Sequence, residues 1–423
     1  MTWTPILDEA PGEVALAVVR DIAAALADSP PCSLLEDEPE DAARVTNASL
    51  GLGKAGTAVA IGYFSLVQPE EPSHAATARR LIAETSRVMA AETMRPTLYG
   101  GFSGIAWALA KLRAWKVLDI AEDSFAVIDT ALADYLDHRD MPRPFELIYG
   151  VAGYLVYALA RLPNPAALRI IESGLNALEA TAKATAEGIT WFVPASQLHS
   201  TTLERAPEGC YNLGLSHGIP GIFSVLAEVH RLGIDPPRTR RLLEGSVRWL
   251  LGQEIGGGWF PALIGPGVDP KPARVSWCYG SPGIPIALLR AARALERDDW
   301  RETALRLAMV AAEVPFERSG VIDPPFCHGA AGLMHQFNRL YQDTGIPLFA
   351  EAAGTWFGHA LSYRVEGEGV AGFMARSMPG SGKYPEPGML YGAAGIGAVF
   401  AAAVSGVEPS WDAMFALSDA GTA

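Results

Sequence analysis

The sequence predicts an all-α fold: an α/α toroid of seven outer–inner helix pairs, with insertions at one rim. Three observations lead there. The first is a Gly-x-x-Gly pair that recurs seven times, at Gly53/Gly56, Gly101/Gly104, Gly150/Gly153, Gly218/Gly221, Gly280/Gly283, Gly329/Gly332 and Gly392/Gly395. Intervals of 48, 49, 68, 62, 49 and 63 residues between first glycines mark a repeat with variable insertions. The second is an apolar helical stripe after each pair, as in Ile222, Val225, Leu226, Val229 and Leu232. The third is a more charged amphipathic stretch before each pair, such as Leu168, Ile171, Leu175 and Leu178. Inner helices that are mostly apolar must be buried on one another, and closing the array into a ring buries them without leaving exposed ends.

Taken in order, outer helices are expected at 13–29, 74–91, 121–137, 166–186, 238–253, 299–313 and 346–362. The inner helices follow the glycines at 54–66, 102–114, 151–162, 219–233, 282–296, 330–343 and 393–405. The glycines are expected to turn the chain tightly and to let helix N-termini approach closely. Insertions near 186–214 and 364–387 fill the two longest gaps. The first contains Ile189 to Val193, a short strand by composition; both are expected to shape one rim and to meet substrate. No break in composition marks a second domain, so residues 1–423 read as one domain.

Bulk properties narrow the function. A net charge of −14 argues against nucleic acid, whose phosphates need a basic face. Residues 1–13 lack a basic segment followed by an apolar run, and 392–404 is too short and glycine-rich to span a bilayer, so a cytoplasmic protein is expected. Four cysteines in 423 residues do not make a disulfide framework. The Gly-Leu-Gly-Lys at 51–54 lacks the spacing of a phosphate-binding loop.

If the inner helices run parallel in a ring, the residues just before each first glycine gather at one end. These are Ser216 and His217, Cys278 and Tyr279, and Cys327 and His328, with Ile148-Tyr149 and Leu390-Tyr391 in the third and seventh repeats. Cys278, Cys327 and His328 then form a Cys2His set with the three protein ligands of a catalytic zinc site. Buried apolar cysteines are the competing explanation. His217 joins the same rim as a general acid or base, with a packing histidine as the alternative. Cys32 and Cys210 lie outside the register and read as structural or incidental. His74, His138, His199, His230, His335 and His359 read as surface or structural.

The motifs Leu215-Ser216-His217-Gly218-Ile219-Pro220-Gly221, Trp277-Cys278-Tyr279-Gly280 and Cys327-His328-Gly329-Ala330-Ala331-Gly332 resemble those of the lanthionine synthetase C family. The resemblance runs over essentially the whole chain and implies a zinc-bearing α/α toroid with one Zn2+ per chain, ligated by Cys278, Cys327 and His328. It implies His217 as the acid/base residue and roles for Tyr279 and Arg274. Glu146 stands where the family carries an Asp thought to orient the histidine. The implied reaction is addition of peptide Cys thiols to dehydroalanine or dehydrobutyrine, which closes thioether rings. Its partners are a dehydrated precursor (leader–core) peptide, a lanthipeptide dehydratase and an exporter, which allows membrane association through a biosynthetic complex. Competing readings are a glutathione-binding or glutathione adduct-forming protein with the same zinc site, and a metal-free peptide scaffold. An α/α-toroid glycosidase is disfavoured because Cys and His hold the rim positions where paired carboxylates are needed.

Overall fold

The computed structural model describes residues 3–28, 30–32, 39–138, 143–376 and 382–421. All seven inner helices are present: Lys54–Val67, Phe102–Ala114, Val151–Leu159, Ile219–Arg231, Gly283–Leu295, Ala330–Thr344 and Ala393–Val404. The seven outer helices are Glu9–Ala27, Pro72–Ala91, Ala126–Asp137, Pro165–Thr181, Pro236–Leu251, Asp298–Ala312 and Pro347–Ser362. Four of these start on a proline, whose fixed φ suits the first helical turn and whose missing N–H is not needed there. Among the described residues no helix is long and apolar enough to cross a membrane.

The chain divides into two compact units. The first comprises Met1–Ile128, Val321–Asp412 and Gly421–Ala423; the second comprises Asp129–Gly320 and Ala413–Ala420. In both, inner helices are buried on nearly every side, as along Val151–Leu159 and Ala393–Ala403, whereas outer helices bury one stripe. Each fully buried Leu, Ile or Val side chain contributes about 1.5–3 kcal/mol, so the apolar inner helices hold each unit together. The first, third, fourth, fifth and sixth inner helices each pack along the outer helix that follows, because connections such as that from Val67 to Pro72 are short and enforce antiparallel neighbours.

Within the first unit the seventh inner helix packs along Glu9–Ala27, the first outer helix, and against Lys54–Val67, the first inner helix. The Trp3 indole N–H donates to the Ala402 carbonyl at 2.8 Å. Sequence-distant ends thus meet as the closed repeat requires.

The glycine pairs work by a local rule. A Cβ on Gly332 would stand 1.8 Å from the carbonyl oxygen of Phe326, six residues earlier. The close approach is therefore mainly to the chain's own preceding turn, rather than between helix N-termini as expected. Gly280 differs from the other first glycines: its φ of +76° lies in the left-handed region, and its inner helix begins three residues later, at Gly283.

The shared register has a backbone counterpart. In the first unit three residues that stand two before a first glycine donate their N–H to the equivalent residue of the next repeat. Cys327 donates to Leu390 (3.0 Å), Leu390 to Gly51 (2.9 Å) and Gly51 to Tyr99 (2.9 Å). In the second unit Ser216 donates to the Cys278 carbonyl at 3.4 Å.

Two boundaries differ from expectation for identifiable reasons. The third inner helix stops at Leu159, because Pro163 has no N–H and disfavours helical geometry at Leu162. The fourth outer helix stops at Thr181, because Lys183–Ala184 pairs with Ile189–Thr190 as an antiparallel ladder. The expected strand at 189–193 is two short strands, the second of which, Phe192–Val193, pairs with Cys210–Asn212. Between them Trp191 is buried, its indole N–H donating to the Leu178 carbonyl at 2.9 Å. The second insertion carries Ala375–Arg376 paired with Lys383–Tyr384.

Candidate active site

Cys278 in the second unit and Cys327 and His328 in the first are each buried just before a first glycine. Two cysteines and a histidine are the donor types that zinc takes, so the residues fit that ion. Cys327 stands three residues before its helix, Ala330–Thr344, close enough for the helix N-terminus to favour a thiolate. Cys278 stands five residues before Gly283, where that effect has largely faded. Its sulfur lies 3.4 Å from the Ser276 hydroxyl instead. His328 has its ring 5.5 Å from that of Tyr391, and its Nε2 lies 3.3 Å from the Arg376 carbonyl.

In the second unit His217 and Glu146 form a pair, with Nδ1 and Oε2 2.8 Å apart. Glu146 is only 6% exposed. Its carboxylate folds back over its own turn, accepting the N–H of Ile148 at 3.0 Å and that of Tyr149 at 2.7 Å. This folding absorbs the additional methylene, and one oxygen still reaches the histidine. His217 keeps 36% of its side chain exposed, and Tyr149 stacks on it at 5.8 Å and 29°. Burial alone lowers the imidazole pKa. The charge and hydrogen bond of Glu146, with a smaller contribution from Cys278, outweigh it and hold the group above its ordinary value.

Tyr279 receives a hydrogen bond on its hydroxyl from Asn212 Nδ2 at 3.2 Å, and its backbone is clasped by the Ser276 hydroxyl. Arg274 is half-buried and makes no ion pair among the described residues, so neither a structural salt bridge nor a held carboxylate is found there. Cys32 donates its thiol to Glu386 Oε2 at 3.0 Å. Burial pushes the Cys210 thiol up to about 11, against a smaller lowering by Arg205, as befits an inert residue packed with Ala206 and Leu263. His335 is fully buried on Asp412, a structural role.

Sequence reasoning assigned no role to Asn212, Asp323, Tyr149 or Tyr391. Register was the available signal. Asn212 and Asp323 stand six residues before a first glycine, as Arg274 does, and the two tyrosines stand one residue before, as His217, Tyr279 and His328 do.

Comparison with known proteins supplies the family. Residues 44–416 match the family described as lanthionine synthetase C-like protein. The chain is 25% identical over 268 residues to the nisin biosynthesis protein NisC of Lactococcus lactis subsp. lactis, covering 58% of this chain and 62% of that protein. It is 28% identical over 190 residues (41% and 45%) to the glutathione S-transferase LANCL1 of Danio rerio. It is also 24% identical over 288 residues (66% and 62%) to the LanC-like protein GCL1 of Arabidopsis thaliana. The matched stretches span less than two thirds of each relative's own length. The solved structure of nisin cyclase superposes with a TM-score of 0.73 at 18% identity, covering 96% of this chain and 98% of that one. That likeness establishes the fold class as the expected all-α, α/α toroid. With seven glycine-paired helix repeats and a family match over nearly its whole length, the chain belongs to the lanthionine synthetase C-like family.

Proposed function

We propose that this chain, acting as a single domain, is a zinc-dependent lanthipeptide cyclase that closes thioether rings in a dehydrated precursor peptide. The observation that carries the reading is the Cys278, Cys327 and His328 donor set, each buried one or two residues before a first glycine in a chain of this family. These three residues would hold one Zn2+ per chain, which when bound acidifies a coordinating thiol. Ring closure forms a bond between a peptide Cys sulfur and the β-carbon of a dehydroalanine or dehydrobutyrine. The double-bond electrons move to the α-carbon, which takes up a proton. The thiol proton goes to solvent, so atoms balance and nothing is oxidised or reduced. His217 is the proton donor in this reading: Glu146 holds Nδ1, and Nε2 is the end left for the α-carbon. Arg274, lacking a carboxylate partner among the described residues, is suited to the enolate oxygen. Tyr279, fixed by Asn212, sits beside the Cys278 ligand. A dehydratase supplies such a substrate and an exporter takes the product, which suits a cytoplasmic enzyme, free or associated with a membrane-bound biosynthetic complex.

A second reading, addition of glutathione to a dehydrated peptide, has the relative named glutathione S-transferase LANCL1 in its favour. One assay separates the two. The chain is incubated with a dehydrated Cys-containing peptide, with and without glutathione, and free thiols are alkylated before mass analysis. Cyclisation removes thiols at constant mass, whereas adduct formation adds the mass of glutathione. Thiols that persist at unchanged peptide mass in the zinc-loaded protein would sink both readings.

A further inference from the structure

We propose that Asp323 is a positioning residue for His328, fixing the imidazole so that Nδ1, not Nε2, is the metal donor. This deepens the zinc reading above and rests on it. Asp323 is 1% exposed. Its Oδ2 accepts the backbone N–H of Arg376 at 3.0 Å and lies 3.5 Å from His328 Nε2. The Arg376 carbonyl stands 3.3 Å from the same nitrogen. His328 Nε2 thus faces two oxygens, which can only accept, so it carries the proton. A neutral imidazole then has its lone pair on Nδ1 alone.

Charge supports the same assignment. No Lys or Arg pairs with Asp323 among the described residues, and its Oδ1 is buried without a hydrogen-bond partner. A buried carboxylate without a nearby cation is costly. Zinc held by His328 would compensate it, and a carboxylate at the other ring nitrogen would raise the basicity of the metal-bound histidine. Asp323 could instead serve only as a staple for the Ala375–Arg376 and Lys383–Tyr384 hairpin. A staple accounts for the bond from Arg376 N–H but not for a bare carboxylate at the histidine edge. The assignment also gives the second insertion a task, since the Arg376 backbone holds both Asp323 and the His328 ring edge.

The test uses the full chain labelled with 15N-histidine and loaded with zinc. Long-range proton–nitrogen NMR, with the His328 signals identified by loss in His328→Gln, should show a protonated Nε2 and a metal-shifted Nδ1. A metal shift at Nε2 overturns the proposal. Zinc affinity is measured in parallel by competition with a chromophoric chelator. Asp323→Asn and Asp323→Ala should each bind zinc about 10–100-fold more weakly than the parent. Parental affinity in either folded variant overturns the positioning role while leaving the zinc reading intact. A parent chain that takes up no zinc defeats that reading itself. Should the variants fail to fold, the tautomer in the parent chain still decides.

Discussion

Glu146 and His217 show how one methylene is accommodated. A longer acid would overshoot its partner if it extended fully. Here it accepts two N–H groups of its own turn and turns one oxygen onto the ring. The sign of the coupling makes a prediction. Glu146 raises the His217 pKa, so the protonated donor persists to higher pH than a free histidine, whose pKa is about 6.5. In Glu146→Gln the loss of charge should move the alkaline limb of the pH–rate profile to lower pH. An unmoved limb would contradict the pairing. His217→Ala should lower kcat by about 10²–10⁴-fold with zinc retained, and Glu146→Gln should cost less. Steady-state rates and metal content check both.

Among the elements, the turn that opens each inner helix is the most constrained. A methyl group on Gly332 meets the Phe326 carbonyl at 1.8 Å, and that carbonyl belongs to the turn carrying Cys327 and His328. Gly332→Ala should therefore destabilise the fold by about 1–3 kcal/mol and weaken zinc binding together. A denaturant melt and a chelator titration measure the two effects. Gly354→Ala is the control: nothing lies within 4 Å of the added carbon, and the site is an outer-helix interior where alanine is favoured. A Gly332→Ala variant as stable as the parent would show that the turn yields easily.

For the molecule as a whole, buried charge as well as apolar contact ties the segment after the seventh inner helix to the sixth inner helix. After the seventh inner helix, Asp412 pairs with Arg339 at 2.7 Å and with His335 at 2.8 Å, while Arg339 also reaches Glu408 at 2.6 Å. Burial keeps the His335 pKa below its ordinary value despite Asp412. A group depressed on folding stabilises fully above its unfolded pKa and loses that contribution as pH falls. Stability should thus decline below about pH 6.5, and His335→Gln should flatten that decline. Thermal melts across pH 5–8 test this, and an unchanged slope in the variant would refute it.

Seven helix pairs, their register and the two insertions were legible in the sequence because each has a local cause. Helical periodicity places apolar faces, proline and glycine punctuate helix starts, and the second glycine answers a carbonyl only six residues away. The candidate Cys278, Cys327 and His328 set was named from the same repeat, since all three stand one or two residues before a first glycine. His335 was read correctly as structural, but its partner Asp412 lies 77 residues on and carries no register signal. Tertiary structure alone decided that Glu146 still reaches His217, that Arg274 lacks an acidic partner among the described residues, and that the Arg376 backbone meets Asp323 and His328. Those contacts depend on side-chain rotamers and on an insertion folding back over 48 residues, which no periodicity encodes. The sequence by itself determined the architecture and named the candidate donor residues; the tertiary structure decided the hydrogen-bond partners of the candidate residues, because those are set by distance in space and not by separation along the chain.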